Sequence, residues 1–174
     1  MRKAVLLLAT MLLVACAGSG KTQSTAGSTG AQAPTDPTLL LPCQTPALTA
    51  RITSATATIA VVSLTVTGSR TCVLEGYVRL ELLDVGGASL PVQLSRLTDV
   101  PARRLTLKPG ATAVFELHVR KTQANGAPCT LVSPAKLRIT PPDQPDALTV
   151  DAPDTAAFAS CDGQYGVTAM QTPA

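Results

Sequence analysis

The segment ATAVFELHVR, residues 111–120, decides the class of fold to which this chain belongs. From residue 113 to residue 119 every second side chain is apolar, whereas residues 116, 118 and 120 are polar or charged. Successive side chains of a β-strand point to opposite faces, so this alternation predicts a strand with one face in the core and one in water. The apolar set is Ala113, Phe115, Leu117 and Val119, and the polar set is Glu116, His118 and Arg120.

The same alternation recurs on both sides of this strand, in short segments separated by Gly and Pro turns. These segments are Ala47–Thr56, Thr58–Thr67, Gly76–Asp84, Leu90–Ser95, Ala135–Thr140, Leu148–Val150 and Val167–Met170. Strands with one polar face are typical of antiparallel sheets packed face to face. We therefore predict an all-β fold, an immunoglobulin-like antiparallel β-sandwich of seven or eight strands, with a small β-barrel as the alternative.

The N-terminal residues have the organisation of a bacterial export signal. Arg2 and Lys3 precede the apolar run Ala4–Leu13, which is too short to span a bilayer, since that needs roughly 20 residues. The tetrapeptide LVAC that follows resembles a lipobox, which implies cleavage before Cys16 and attachment of diacylglycerol and acyl chains such as palmitate. Residues 1–15 are then a signal peptide. An ordinary signal peptide followed by an unmodified Cys16 is the alternative.

The pentapeptide GSGKT at residues 18–22 resembles the end of a phosphate-binding loop. The complete motif needs a glycine where this chain has Ala15, and it needs a helix after Thr22, where no apolar period is present. We therefore expect no nucleotide site. Residues 16–42 are rich in Ser, Thr, Gly, Gln and Pro, so we interpret them as the lipidated Cys16 and a flexible linker. Residues 43–174 suffice for one domain.

The charge of the chain gives no indication of a nucleic-acid partner. The formal net charge is +3, and without residues 1–15 there are 12 basic and 11 acidic residues, a net charge of +1. The chain has no basic run, and its aromatic residues are two Tyr and two Phe. Proteins that bind nucleic acids carry a basic patch, often with stacking aromatic side chains. We therefore expect no nucleic acid to bind.

The chemically reactive side chains form no linear motif. His118 is the single histidine, and the alternation places it on the polar face of its strand. Catalytic triads and most metal sites need converging partners, so we interpret His118 as solvated. The carboxylates Asp143, Asp146, Asp151 and Asp154 lack the alternating spacing and glycine turn of a calcium loop. The sequence therefore predicts no catalytic residue, no cofactor and no metal site.

Four cysteines remain beyond the lipobox, an even set that predicts two disulfides in an oxidising compartment. Residues equidistant from a hairpin turn lie opposite each other in an antiparallel pair. Cys43 and Cys72 are equidistant from the turn at residues 57 and 58, and Cys129 and Cys161 are equidistant from residue 145. This predicts the pairs Cys43–Cys72 and Cys129–Cys161. The alternative joins Cys72 to Cys129 and leaves Cys43 to pair with Cys161.

Two short motifs carry a family resemblance: C-x-L-x-G-Y, which begins at Cys72, and L-x-P-G, which begins at Leu107. With them, the chain resembles an uncharacterised domain-of-unknown-function family of bacterial, largely actinobacterial, lipoproteins. The matching residues are Cys72, Leu74, Gly76, Tyr77, Leu107, Pro109, Gly110, Phe115, Cys129, Thr140, Pro141 and Pro142. The resemblance implies a β-sandwich in the bacterial envelope and implies no activity.

Two classes of function stay open. One is a non-enzymatic envelope lipoprotein, held through the lipid on Cys16 on the outer face of the cytoplasmic membrane or in an outer membrane. Its extracytoplasmic domain would bind an envelope protein, a wall polymer or a small ligand through the loops of a rigid sandwich. The other is a hydrolase or metal-handling protein whose site has no linear motif. A concave pocket with His118 in hydrogen-bond reach of a carboxylate would favour the second class; we predict the first.

Overall fold

The structure is a computed structural model, and it describes residues 40–123, 125–152 and 155–174. These residues form twelve β-strands, one turn of 3-10 helix (Thr45–Ala47) and one short α-helix, α1 (Thr155–Phe158). The strands are β1 Leu48–Ala55, β2 Ile59–Val66, β3 Cys72–Glu75, β4 Arg79–Leu83, β5 Gln93–Leu97, β6 Arg104–Leu107, β7 Thr112–Val119, β8 Leu131–Val132, β9 Lys136–Thr140, β10 Leu148–Asp151, β11 Ser160–Cys161 and β12 Gln164–Thr168.

The strands form two main sheets and two small ones. The larger main sheet has the order β1-β2-β7-β12-β5, and its pairs are antiparallel except the last, in which β12 and β5 are parallel. The other main sheet has the antiparallel order β10-β9-β4, and the pairs β3–β6 and β8–β11 form the small sheets. This architecture confirms the predicted all-β sandwich. Within the described residues the five-stranded sheet ends at β1 and β5, so it does not close into the barrel considered as the alternative.

The core lies between the apolar faces of the two main sheets. In β7 the side chains of residues 113, 115, 117 and 119 are at most 5% exposed, as their alternation predicts. They belong to one buried cluster with the apolar side chains of β4 and β9, namely Leu80, Leu82, Leu137 and Ile139. Because this burial uses every second residue of each strand, the intervening residues of β7 remain on the outer face of the sheet.

The predicted segments all overlap strands of the structure, but the total is twelve strands rather than seven or eight. The additional strands are β3, β6, β8 and β11, which have two to four residues each and make up the two small sheets. β8 and β11 are too short for alternation to be read, and in β3 three successive residues are buried. β6 has the same length as the predicted β10 and was missed. β5 also begins later than predicted: Leu90 still donates its backbone N–H to Leu82 O of β4 (2.8 Å), and the chain then crosses to the other main sheet.

Both predicted disulfides are present. Cys43 and Cys72 are joined with their Cα atoms 4.9 Å apart, and Cys129 and Cys161 are joined with their Cα atoms 5.4 Å apart. The alternative pairing of Cys72 with Cys129 is therefore wrong. Each bond closes a loop of moderate length, because the sequence separations are 29 and 32 residues.

The first disulfide does not lie at the open end of the β1–β2 hairpin, where we predicted it. The β1–β2 ladder stops at the pair Leu48–Val66, and the 3-10 turn precedes it. Cys43 instead lies beside β3, where its backbone N–H donates to Val73 O (2.9 Å) and Pro42 pairs with Val73 in parallel. The short parallel contact, rather than an antiparallel hairpin, therefore brings the two sulfur atoms together.

The second disulfide also depends on a small sheet. Symmetry about residue 145 would pair Leu148 with residue 142, but the β9–β10 ladder pairs Leu148 with Ile139. Cys161 belongs to β11 and lies opposite Leu131 of β8. This two-residue ladder places Cys161 close to Cys129, two residues before Leu131. The predicted pair is correct, and the hairpin register from which we derived it is wrong.

The predicted signal peptide, residues 1–15, and the lipidated Cys16 lie outside the described residues. Of the predicted linker, residues 16–42, the structure describes only residues 40–42. Within the part of the chain that is described, no helix has the length and apolar character needed to cross a bilayer. The anchor therefore stays a prediction from the sequence.

Candidate functional site

The outer face of the five-stranded sheet carries a groove of about 580 Å³. The strand register places Ile59 of β2, His118 of β7, Gly166 of β12 and Ser95 of β5 side by side in one row across this face. Directly paired residues of a sheet present their side chains on the same face. The row therefore forms the floor and the walls of the groove. Further lining residues are Thr58, Gln93, Leu97, Arg120 and Gln164.

Gly166, in the middle of this row, has no side chain above the sheet. A Cβ atom at this position would lie 2.9 Å from both Cγ and Cδ2 of Leu97, closer than such atoms approach in proteins. Glycine therefore lets β12 pass beneath the Leu97 side chain of the neighbouring strand. The Leu97 side chain thereby fills the space over Gly166, between His118 and Ser95.

Glu116 and His118 form a hydrogen-bonded pair beside this space. They occupy alternate positions of β7 and so project from the same face. His118 Nε2 lies 2.8 Å from Glu116 Oε2, and the two side chains are 37% and 34% exposed. The backbone N–H of Glu116 donates to Thr168 Oγ1 (2.9 Å), which ties this part of β7 to the end of β12. Strand pairing on both sides thus fixes the backbone of the pair.

A second concavity, of about 570 Å³, continues along the same outer face on the other side of Glu116. It is lined by Arg51, by hydroxyl side chains of β1, β2 and β7, and by residues 171–174. The hydroxyl groups of Thr65 and Thr112 lie 2.9 Å apart across two of these strands. Val61 and Val114 also line this concavity, so the outer face of the sheet mixes polar and apolar side chains, with Glu116 between the two concavities.

The turn before β12 fixes one end of the groove. Asp162 and Gly163 have φ angles of 50° and 65°, and Gly163 O accepts the backbone N–H of Gln93 (2.8 Å), which begins the β12–β5 ladder. Asp162 Oδ1 accepts the backbone N–H of Thr130 (2.8 Å), and Gln123 Nε2 donates to the other carboxylate oxygen. The turn is thereby held to the segment that contains the Cys129–Cys161 disulfide.

Tyr165 supports the groove from the opposite face of β12. Its hydroxyl donates to Phe158 O (2.7 Å) and lies 3.2 Å from Val132 O. Burial raises the pKa of this hydroxyl above its ordinary value, because the phenolate would be poorly solvated. The neutral side chain therefore connects β12 with α1 and β8.

The groove offers hydrogen-bonding groups but no activated hydroxyl nucleophile. Ser95 Oγ donates to Tyr165 O (3.1 Å), and the hydrogen bond of His118 goes to Glu116. In the described residues no three His, Cys, Asp or Glu side chains are grouped closely enough to hold a metal ion. The amides of Gln93 and Gln164 and the Arg120 guanidinium are suited to hydrogen bonds with a polar ligand.

The residues singled out from the sequence have separate positions. Cys43, Cys72, Cys129 and Cys161 are disulfide-bonded, and none of them lines the groove. His118 lies on the outer face, as predicted, but it is half-buried, bonded to a carboxylate and part of a concavity rather than simply solvated. Cys16 lies outside the described residues.

The groove itself was not predicted. Gln93, Ser95, Gln164 and Gly166 come together because β5 pairs in parallel with β12, about 70 residues later in the chain. No local pattern indicates this long-range pairing. The one available signal was the polar face of residues 116–120, which marks a wet surface but not its shape.

Residues 43–171 match the sequence profile of a family described as Domain of unknown function (DUF4232). No match was found among curated proteins or among solved structures.

Proposed function

The chain belongs to the DUF4232 family, a domain of unknown function, and from that premise we propose that it is a lipid-anchored protein of the bacterial envelope. Its β-sandwich binds a polar ligand in the outer-face groove and does not catalyse a reaction. The ligand is an envelope protein segment, a wall polymer or a small molecule rich in hydrogen-bonding groups.

The observation that carries this proposal is the groove on a rigid sheet. Its strands are paired on both sides along the row from Ile59 to Ser95, so the lining groups are held in place before a ligand arrives. A preorganised site avoids the ordering cost that binding otherwise includes. The lining amides, hydroxyls and guanidinium favour a polar ligand over an apolar one.

Two features support the placement in the envelope. The lipobox-like tetrapeptide that ends at Cys16 provides an attachment point for lipid. The two disulfides fit an oxidising compartment, since such bonds are rare in the reducing cytosol.

Site-directed cross-linking in intact cells tests the proposal. A photo-reactive residue at Gln93, which is exposed and lines the groove, is compared with one at Thr106, an exposed position of β6 outside it. We expect adducts of defined mass from position 93 and none from position 106. The substitution Ser95→Trp, which fills the groove, should abolish these adducts. Equal adducts at both positions, or adducts that persist with Ser95→Trp, would contradict a binding function of the groove.

One observation favours the second class, a hydrolase or metal-handling protein. His118 lines a concave site and lies 2.8 Å from a carboxylate oxygen, which is the geometry that this class requires. For hydrolysis the imidazole would have to activate a nucleophile, but its hydrogen bond is to Glu116. A carboxylate and an imidazole on one face are better suited to hold a cation.

A further inference from the structure

The distance between Glu116 and His118 is close to that between two ligands of one metal ion. Zinc lies about 2.0–2.2 Å from imidazole nitrogen and carboxylate oxygen, so two such ligands at tetrahedral or octahedral angles are roughly 2.9–3.4 Å apart. His118 Nε2 and Glu116 Oε2 are 2.8 Å apart. A bound cation would lie beside the line that joins these two atoms, so both half-exposed side chains would have to turn toward it.

From this geometry we propose that Glu116 and His118 bind one divalent transition-metal ion, with Zn²⁺ and Cu²⁺ preferred. A neutral imidazole with a carboxylate suits these ions, whereas Mg²⁺ and Ca²⁺ prefer sets made of oxygen atoms alone. The order of affinity among divalent first-row ions places Cu²⁺ above Zn²⁺. With two protein ligands the ion keeps at least two positions for water or a ligand, at least one more than the three-ligand catalytic zinc sites leave open.

The open positions of the ion would face solvent at the edge of the groove, because the two side chains are 37% and 34% exposed and the Leu97 side chain covers Gly166. Water molecules can occupy these positions. The same positions can accept a donor atom of a ligand in the groove.

The charges around the pair limit the affinity without preventing binding. Arg120 follows the last residue of β7 and lines the groove, and Arg51 lines the concavity on the other side of Glu116. Both are exposed, so solvent screens their repulsion of a cation and their side chains can turn away from the pair. We expect weaker binding than at a four-ligand structural site.

The composition of the chain makes this assignment easy to test. His118 is the only histidine, and four of the five cysteines are in disulfides. The full chain carrying Cys16→Ala therefore has no free thiol. It is prepared in detergent and without a histidine tag. Its single set of imidazole proton signals then reports on His118 alone.

Titration with ZnCl₂ should shift these signals to saturation at one ion per chain, and chelation with EDTA should reverse the shift. CuCl₂ should broaden the same signals at lower concentration, and MgCl₂ should leave them unchanged. Calorimetric titration with ZnCl₂ then compares variants. His118→Ala should abolish binding, and Glu116→Gln should weaken it at least about tenfold, since loss of even an indirect partner of a metal ligand commonly costs that much.

The matched control is Glu81→Gln. Glu81 is an exposed strand carboxylate that lies 3.0 Å from Arg138 Nη1 in the other main sheet, and its loss should leave Zn²⁺ affinity unchanged. The variants His118→Ala and Glu116→Gln should unfold at the same temperature as the parent chain. Imidazole signals that do not move with Zn²⁺ would overturn the proposal, as would unchanged affinity of His118→Ala or equal weakening by Glu81→Gln.

The metal site goes beyond the proposed function, because it needs neither the lipid anchor nor a binding partner. A titration that detected no metal binding would not affect the cross-linking result. The two experiments therefore test the two proposals independently.

Discussion

At the scale of single residues, Lys121 is the side chain that holds the segment around α1. Its Nζ atom donates to the backbone oxygens of Ala156, Ala157 and Ala159 at 3.0, 2.8 and 2.8 Å. Carbonyl oxygens near the end of a helix carry partial negative charge, so an ammonium group stabilises them. The sequence shows Lys121 only as the second residue of a basic pair.

We predict that Lys121→Met lowers the free energy of unfolding by about 1–3 kcal/mol, because three hydrogen bonds to a charged group are lost. Urea denaturation measures the effect. The control is Lys108→Met, since Lys108 is exposed and its substitution should change stability by no more than about 0.5 kcal/mol. Equal losses for the two variants would show that the three contacts of Lys121 do not stabilise the fold.

Tyr165 gives the fold a sensitivity to high pH. Burial raises the pKa of its hydroxyl above the ordinary value of 10.0. A raised pKa means that the stabilisation is fully present below about pH 10 and is lost as the pH rises through the folded-state pKa. We therefore predict that the free energy of unfolding falls more steeply above about pH 10 in the parent chain than in Tyr165→Phe. Parallel curves in urea denaturation would contradict this.

At neutral pH, Tyr165→Phe should cost about 1 kcal/mol, because Phe158 O loses a buried hydrogen bond. The control Tyr77→Phe removes a hydroxyl that donates to Leu97 O (3.0 Å) from a half-buried side chain. It should retain the steep loss of stability at high pH, since Tyr165 is intact.

At the scale of elements, the turn between β11 and β12 determines whether β5 can join the sheet. Gly163 has a φ angle of 65°, and a Cβ atom there would lie 2.6 Å from Pro91 O. A left-handed backbone costs an L-residue roughly 1–2 kcal/mol, and a backbone atom cannot move aside as a flexible side chain can. Glycine at this position thus permits the close approach from which the β12–β5 ladder begins.

We predict that Gly163→Ala lowers the free energy of unfolding by roughly 2–4 kcal/mol, from backbone strain and steric overlap together. Gly87→Ala is the matched control, because Gly87 also has a positive φ angle, 86°, but a Cβ atom there would meet nothing within 4 Å. It should cost at most about 2 kcal/mol. Thermal and urea unfolding measure both variants. A cost no greater for Gly163→Ala than for Gly87→Ala would show that the approach to Pro91 does not constrain the fold.

The residues of the two sequence motifs also act at the scale of elements. Cys72 is in a disulfide, Leu74 is 1% exposed and Gly76 has a φ angle of 97°. In the second motif, Leu107 is 3% exposed and Gly110, with a φ angle of 79°, donates its backbone N–H to Val66 O (2.8 Å). These residues form core contacts and turns, so the motifs specify the sandwich rather than the groove.

At the scale of the whole molecule, the proposed anchor has one decisive residue. We predict that Cys16→Ala abolishes labelling with radioactive palmitate and either releases the domain from membranes or leaves unprocessed precursor. Two acyl chains anchor a protein stably at about 0.8 kcal/mol per buried CH₂ group, whereas one chain is marginal. Membrane fractionation with mass spectrometry of the N-terminus provides the measurement. A processed, acylated and membrane-bound Cys16→Ala protein would refute the lipobox interpretation.

The class of fold could be predicted from the sequence because burial in a sandwich repeats every two residues. Ala113, Phe115, Leu117 and Val119 are all buried, and the residues between them are more exposed. The same rule located eight of the twelve strands. It did not locate β8 and β11, because two residues show no period, or β3, in which three successive residues are buried. β6 has four residues, as β10 does, and was missed.

Both cysteine pairs were predicted correctly, but from strand registers that the structure does not have. Symmetric spacing about two turns gave both pairs, yet Cys43 reaches Cys72 through a parallel contact with β3, and Cys161 reaches Cys129 through the β8–β11 ladder. A disulfide requires that the two Cα atoms lie about 4.4–6.8 Å apart with their side chains turned toward each other, and more than one strand arrangement provides this. The register within a hairpin was therefore not needed for the result.

The sequence by itself determined the alternation that buries one face of each long strand, the even number of cysteines and the polar face that carries Glu116 and His118. Only the tertiary structure decided that β5 pairs in parallel with β12, and hence that Gly166 lies between His118 and Ser95. Which face of a strand is buried depends on the order of apolar and polar residues within that strand, so the local sequence is enough to predict it. A groove depends on which strands are neighbours, and that choice results from packing across the whole domain.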